Sequence, residues 1–334
     1  MGEFLSTPNK TKDSKDDENS KIKYASCGMQ GWRKRMEDAH ISDISQGPNQ
    51  QYEIFGVFDG HGGKEVSQFV KAHFTPELLN NPRFKEGLIT YALKETFLKM
   101  DDLMRKSEGK EELRKLAKLS KEEDDLQNQQ NPNSQAATLN MLLGQVKGKN
   151  TDVAMMTGCT ACVCVIDHLN KKLYFANAGD SRVVLCKKGV AYAMSIDHKP
   201  ELETEKNRII KAEGWVSEGR IKGNLNLSRS LGDLEYKQNV ALSAEEQMIT
   251  ANPEIVEEEL TDDCDFILLG CDGIWDCLTN QDACDFVKRE MVEGQEKMSP
   301  ILEKMVESII STDVYDESGL GCDNMTCILV KFKK

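Results

Sequence analysis

The chain has 334 residues, 39% hydrophobic and 30% charged, with a formal charge of −13. That composition is far from the depleted pattern of a disordered chain and suffices for a sizeable core, in one large domain or two ordinary ones. The acidic balance excludes a general nucleic-acid binder, which needs a basic face, and no run approaches the ~18 apolar residues of a membrane span.

The N-terminal MGEFLS matches the pattern for myristoylation at Gly2, with Ser6 in the sixth position and Glu3 as a discordant charge. One acyl chain would give only weak, reversible membrane association. There is no apolar core of a secretory signal. Eleven cysteines, an odd number scattered through apparent strands and helices, fit a reducing compartment. The expectation is a cytoplasmic protein, with the nucleus or a weak membrane association as variants.

Residues 6–21 are polar and lack an apolar period, so residues 1–21 are expected to be a disordered lead-in and 22–334 the folded domain. Strands follow over 21–29, 36–44 and 51–58, with QGWR as a turn and Gly47-Pro48 as another; connections this short favour antiparallel hairpins. After Gly63 the period changes. Val66, Phe69, Val70, His73 and Phe74 predict a helix up to Pro76, and Ile89, Leu93, Phe97, Met100 and Met104 predict the next. Residues 105–150 are a hydrophilic insertion or flexible arm, with Leu113, Leu116 and Leu119 spaced for one weak amphipathic helix.

Strands resume over 159–167, 172–178 and 182–188. Cys159, Cys162 and Cys164 fall in the first of these; alternation in a buried strand explains Cys162 and Cys164 better than zinc, because no second Cys/His pair is nearby. A helix over 201–212 stops at Gly214. A loop-rich passage with LNLSRSLGD then leads to a strand over 265–269, two helices within 281–310 and the closing strand MTCILVKF. Antiparallel strands alternating with helix pairs predict two sheet layers covered by helices, not a doubly wound parallel sheet.

Carboxylates recur at strand ends and glycine turns: Glu37 and Asp38, Asp59 in VFDGHGG, Asp180 in ANAGDSR, Asp272 with Asp276 in CDGIWD, and Asp323 in CDNMT. Two carboxylates about 5 Å apart, at an effective dielectric of about 20, repel by roughly 3 kcal/mol. Convergence would therefore demand a hard divalent ion, Mg²⁺ or Mn²⁺, in an all-oxygen shell. Adjacent strand residues point to opposite faces, so Glu37 and Asp38 could not both ligate one ion directly without a bulge or a water. Two such ions can activate a shared water and clamp an in-line phosphoryl displacement. Arg33 suits the substrate phosphate and His61 the protonation of the leaving oxygen.

The motifs RKRMEDAH, VFDGHGG, ANAGDSR, DHKP, LSRSLGD, CDGIWD and CDNMT stand in the order and approximate spacing of the metal-dependent protein phosphatase 2C family, which this sequence resembles from about Ile22 to Lys331. The resemblance implies an α/β (α+β) sandwich of two antiparallel sheets flanked by helices, with a dinuclear metal cleft at one edge. It implies ligation of two Mg²⁺ or Mn²⁺ ions by Glu37, Asp38, Asp59, the Gly60 carbonyl, Asp272 and Asp323, with Asp180 and Asp276 at a third, weaker ion. Arg33 then holds the phosphate and His61 is the general acid. The stretch DHKPELETEKNRIIKAEG resembles the family's flap, with Arg208 as a further phosphate or substrate contact. The implied activity is hydrolysis of phosphoserine and phosphothreonine in proteins by direct attack of a metal-bridging water, by a monomer. One departure is Gly158-Cys159-Thr160, where the family has Gly-Ser-Thr; an exposed thiol there would make activity oxidation-sensitive. The alternatives are a phosphatase-fold binding or sensor protein acting through its insertion, and a metal phosphoesterase for small molecules or nucleic acid, the latter disfavoured by the acidic charge.

Overall fold

The run YEIFGVF is buried at every position and so can only be a strand covered on both faces. Its alternate side chains define the two halves of the core. Phe55 and Val57 face a seam between two sheets, whereas Ile54 and Phe58 face a layer of helices. The computed structural model describes residues 4–130, 152–292, 294, 296–315 and 318–333.

In chain order the first elements are β1 (Phe4–Glu18), β2 (Ile22–Arg33), β3 (Ala39–Gln46), β4 (Tyr52–Phe58) and β5 (Gly60–His61). Helices α1 (Glu65–Asn80), α2 (Pro82–Lys85), α3 (Ile89–Arg105) and α4 (Ser107–Gln130) follow. Next come β6 (Gly158–Cys159), β7 (Ala161–Asp167), β8 (Lys172–Ala178), β9 (Arg182–Lys187), β10 (Val190–Ala193) and α5 (Glu203–Lys211). The short strands β11 (Val216–Ser217), β12 (Arg220–Ile221) and β13 (Leu231–Gly232) precede β14 (Glu254–Glu259) and β15 (Cys264–Gly270). The last elements are α6 (Asp272–Trp275), α7 (Asn280–Glu290), α8 (Ser299–Ile309) and β16 (Met325–Phe332).

One sheet runs β1-β2-β16-β15-β9-β10 and the other β14-β8-β7-β4-β3, with antiparallel pairing throughout both. They meet at a seam where Tyr24 of β2 packs edge-on against Phe55 of β4, ring centroids 5.2 Å apart. Helices α1 and α3 cover the second sheet, and α7 and α8 cover the first. This is the α+β sandwich expected from the strand pattern. A small sheet β13-β6-β5 extends from its edge. Among the described residues, no helix is long and apolar enough to cross a membrane.

Four expectations are corrected. Most of residues 1–21 is not a disordered lead-in: Phe4–Glu18 is a strand that pairs with β2 and protects that sheet edge. Its charged composition hid it, because an edge strand needs no apolar period when its hold is polar. Lys12 pairs with Glu307, and the Asp16 carboxylate accepts the Met298 and Ser299 N–H groups at 2.6 and 2.9 Å, capping α8. The second correction is that QGWR is no turn and β2 and β3 form no hairpin. β2 continues through Arg33 in one sheet, β3 lies in the other, and residues 34–38 carry the chain across. Thirdly, α1 passes Pro76 to Asn80, because Leu78 extends the buried stripe of Phe74 by one turn. Finally, the amphipathic helix expected on Leu113, Leu116 and Leu119 is present but runs over the whole of residues 107–130 in place of a flexible arm, with Leu113 fully buried, Leu116 half-buried and Leu119 exposed. Residues 131–151 and Gly2 lie outside the described residues.

Asp16→Ala should lower stability by about 1 kcal/mol, the usual cost of a lost cap. Thermal denaturation measures it; an unchanged Tm would mean that β1 contributes nothing to the fold.

Candidate metal and phosphate site

Five remote segments bring their carboxylates to one edge of the sandwich. Asp59 follows β4, Asp180 lies between β8 and β9, Asp272 opens α6, Asp323 precedes β16, and Glu37-Asp38 lies in the crossing from β2 to β3. Their mutual influence is large. Burial, then Asp38, Asp272, Asp323 and Asp180, hold the Asp59 carboxyl well above the ordinary range. Burial, then Asp180, Asp323 and Asp276, do the same to Asp272.

Asp38 shares this conflict from a buried position. It is 5% accessible, and neither carboxylate oxygen has a hydrogen-bond donor among the described residues. Burial, reinforced by Asp323, pushes its carboxyl up to about 7. One oxygen each of Asp38 and Asp59 and the Cys271 sulfur lie within 4.8 Å of one another. The thiol is not the attraction: burial and then the Asp38 and Asp59 charges keep it protonated, and Sγ already accepts the Thr326 N–H at 3.1 Å and donates to the Asn324 carbonyl at 3.4 Å. What is left is an all-oxygen donor set with unsatisfied buried oxygens, which fits a hard divalent cation.

Because β3 begins only at Ala39, Glu37 and Asp38 are not on a strand, and alternation does not set their side chains on opposite faces. Asn324 fixes this crossing. Its Nδ2 donates to the Gln30 and Arg35 carbonyls at 2.8 and 3.0 Å, and its Oδ1 accepts the Glu37 N–H at 2.9 Å. Ser67 Oγ donates to the Glu37 carbonyl at 2.5 Å. A Cβ on Gly60 would come 2.3 Å from that same carbonyl, so only glycine admits the approach. Burial raises the Glu37 carboxyl against the pull of Arg35 and Arg33. Arg33 pairs through Nη2 with Asp323. Sequence reasoning did not single out Asn324; its place directly after Asp323 was the available signal.

His61 belongs to the small sheet, where it sits opposite Gly158, while Gly158 also sits opposite Gly232. His61 Nε2 meets Asp233 Oδ2 at 2.7 Å, and Ser230 Oγ donates to the same oxygen at 2.5 Å. Burial depresses the imidazolium, but Asp233 outweighs it and the His61 pKa ends above its ordinary value. Burial likewise opposes the Asp233 charge, and His61 and Ser230 outweigh it, so Asp233 ends lowered. A Cβ on Gly158 would lie 2.3 Å from Asp233 Oδ2 and 2.7 Å from His61 Nε2. Asp101 of α3 anchors the Asp233 loop, accepting the Gly232 N–H at 2.8 Å and Lys237 Nζ at 2.5 Å. Asp233, the last residue of LSRSLGD, is the partner of His61 that the sequence reading missed.

The remaining candidates divide. Asp180 is buried and paired with Lys199 of DHKP, while Asp276 is exposed. Arg208 has its guanidinium engaged within the protein. It donates to Glu205 Oε2 at 2.7 Å and to the Gln247 and Ser228 carbonyls, which ties α5 to its surroundings. Cys159 is fully buried, so the exposure that oxidation sensitivity required is missing; Cys162 and Cys164 are core residues at the seam.

The family model described as "Protein phosphatase 2C" matches residues 22–115 and 108–317. "Probable protein phosphatase 2C 21" of Arabidopsis thaliana is 42% identical, covering 100% of this chain and 93% of the relative. "Probable protein phosphatase 2C 4" of Paramecium tetraurelia is 43% identical over 100% and 99%. The solved structure titled "Crystal structure of a phosphatase from a pathogenic strain Toxoplasma gondii" superposes with a TM-score of 0.69 at 22% identity, covering 96% of each chain, a likeness of fold.

A folded Asp38 that keeps its proton to about pH 7, against an ordinary value of 3.8, binds more protons than the unfolded chain between those limits. Stability without metal must then fall as pH rises through that window. In chelator at pH 7.5, Asp38→Asn should be more stable than the parent by roughly 2–4 kcal/mol, with the gap closing towards pH 4. Calorimetry across pH decides this, and a variant less stable than the parent at pH 7.5 would contradict it.

Proposed function

The chain belongs to the protein phosphatase 2C family, and from that premise we propose that it hydrolyses phosphoserine and phosphothreonine in proteins with divalent metal ions. The observation carrying this reading is the buried, unpartnered Asp38 beside Asp59, within a carboxylate cluster flanked by Arg33 and the His61–Asp233 pair.

Glu37, Asp38, Asp59, the Gly60 carbonyl, Asp272 and Asp323 would hold two Mg²⁺ or Mn²⁺ ions. A third, weaker ion at Asp180 and Asp276 would compete with Lys199 for Asp180. When bound, the ions would supply an activated water and neutralise phosphoryl oxygens. Arg33 presents the guanidinium donors that Asp323 leaves free to the substrate phosphate, fixing its orientation. His61 delivers a proton to the leaving serine or threonine oxygen. Asp233 retains Nε2–H, so the proton delivered sits on Nδ1. Asp233 raises the pKa of His61 against the effect of burial, which favours the charged ring that a general acid requires. The reading is of a cytoplasmic monomer acting on phosphoproteins, with acylation of Gly2 as at most a weak anchor; eleven free cysteines, ten of them buried, agree with a reducing compartment.

Purified protein should release phosphate from a phosphothreonine peptide with Mn²⁺ and stop in EDTA. Asp272→Asn should lose orders of magnitude in turnover while keeping its near-UV circular dichroism. No release, or full turnover in EDTA, rejects the assignment. His61→Gln and Asp233→Asn should slow phosphopeptide hydrolysis by about 10²–10⁴ and an activated aryl phosphate far less. Equal losses on both substrates would remove the acid role from His61.

A further inference from the structure

The carboxylate that meets His61 is carried on strained backbone. Asp233 lies in the left-handed region, at φ 47° and ψ 39°, directly after Gly232 at φ 78°. A residue with a side chain stays in that region only where its surroundings over-determine it. The turn Leu234–Tyr236 follows at once, with the Tyr236 N–H on the Asp233 carbonyl at 3.0 Å. The Asp233 N–H itself is held by the Thr157 carbonyl at 2.9 Å.

The rest of the restraint comes from one buried ion pair. Lys237 Nζ donates to Asp101 Oδ2 at 2.5 Å and reaches back to the Ser230 carbonyl at 2.7 Å, which closes residues 230–237 into a ring. Ser230 is also the residue whose hydroxyl donates to Asp233 Oδ2. The second oxygen of Asp101 takes the Gly232 N–H at 2.8 Å. One turn further along α3, Arg105 Nη2 donates to the Lys237 carbonyl at 3.1 Å. Helix α3 therefore grips the segment on both sides of Asp233. The side chains of Lys237 and Asp101 are only 3% and 11% exposed. The desolvation cost of such a pair commonly offsets its attraction, so stability alone does not account for it. Its hydrogen bonds run instead to the backbone that carries Asp233. Among the described residues, neither Lys237 nor Asp101 bonds to Glu37, Asp38, Asp59, Asp272 or Asp323.

We infer that Lys237 and Asp101 are positioning residues for proton delivery: their bonds to Ser230 and Gly232 hold Asp233 in its left-handed turn and, through it, fix the ring of His61. The inference rests on the phosphatase reading above and on the acid role of His61 within it. A loosened Asp233 leaves the carboxylate cluster intact but lets the imidazole leave the line of transfer, and small displacements of a reacting group are costly. The loss then falls on substrates whose leaving oxygen needs a proton.

The test reads the leaving group and the ring apart from stability. With Mn²⁺, Lys237→Met should lower kcat on a phosphothreonine peptide by about tenfold, with little change in KM and a far smaller loss on p-nitrophenyl phosphate. In Asp101→Asn/Lys237→Gln the amides can again bond Gly232 and Ser230, and most of that loss should be recovered. Arg105→Met, which removes only the grip on the Lys237 carbonyl, should show the same pattern at about two- to threefold and serves where Lys237→Met does not fold. A second readout needs no turnover. In chelator, the downfield imidazole N–H proton of His61, assigned as the resonance missing from His61→Gln, should move in Lys237→Met and in Arg105→Met and return towards the parent position in the amide pair. Equal losses on both substrates, unchanged phosphopeptide turnover, or an unmoved resonance overturns the inference. A parent that hydrolyses neither substrate rejects the phosphatase reading instead, and a His61→Gln variant that slows both equally rejects the acid role. In either case the resonance still decides whether Lys237 and Asp101 hold Asp233 against His61.

Discussion

Like charges gathered at one low-dielectric point are the constraint around which this molecule is arranged. Asp59 feels Asp38, Asp272, Asp323 and Asp180 together, a conflict that costs roughly 3 kcal/mol for each pair about 5 Å apart. Side-chain cations relieve only its margins, through Arg33 on Asp323 and Lys199 on Asp180. Nothing comparable reaches Asp38 among the described residues. The chain's own cations stop short of Asp38 and Asp59, where the proposed divalent ions would be held.

Holding such a cluster needs a frame that does not yield. The seam between the sheets provides it, with Tyr24, Phe55 and their neighbours locked in alternation, so that Asp59 and Asp272 are delivered by strand ends set in the core. The irregular segment 34–38 is held by buried side chains: Asn324 satisfies the Arg35 carbonyl and the Glu37 N–H as well as the Gln30 carbonyl of β2, and stands beside Asp323, while Ser67 binds the Glu37 carbonyl. Position of the ligands and position of Arg33 are thus coupled through one residue of the closing strand.

The His61–Asp233 pair is built separately. β5, β6 and β13 bring His61 to Asp233, and Gly158 leaves the space that the pair occupies. Here opposite charges meet, so burial strengthens the contact. One edge of the fold therefore carries two different electrostatic arrangements: a carboxylate group short of cations, and a histidine paired with its own carboxylate.

Much of this was legible in the sequence, because periodicity and turn chemistry are local. Strands 172–178 and 325–332, the helix behind Gly63 and the carboxylates at strand tips all follow from spacing alone. The strand Phe4–Glu18 was not, since its stability comes from pairing with β2 and capping α8, contacts that composition does not encode. Nor was the partner of β2: two alternating strands joined by a short link look like a hairpin whether or not the chain changes sheets. Arg208 and Asp233 show the same limit, for residue type assigned one to substrate and passed over the other, while the fold ties Arg208 to Glu205 and sets Asp233 against His61. Sequence determined which groups the chain carries and on what local element each sits. Only the tertiary structure decided which carboxylates are left without a cation, because that depends on distances between segments up to hundreds of residues apart.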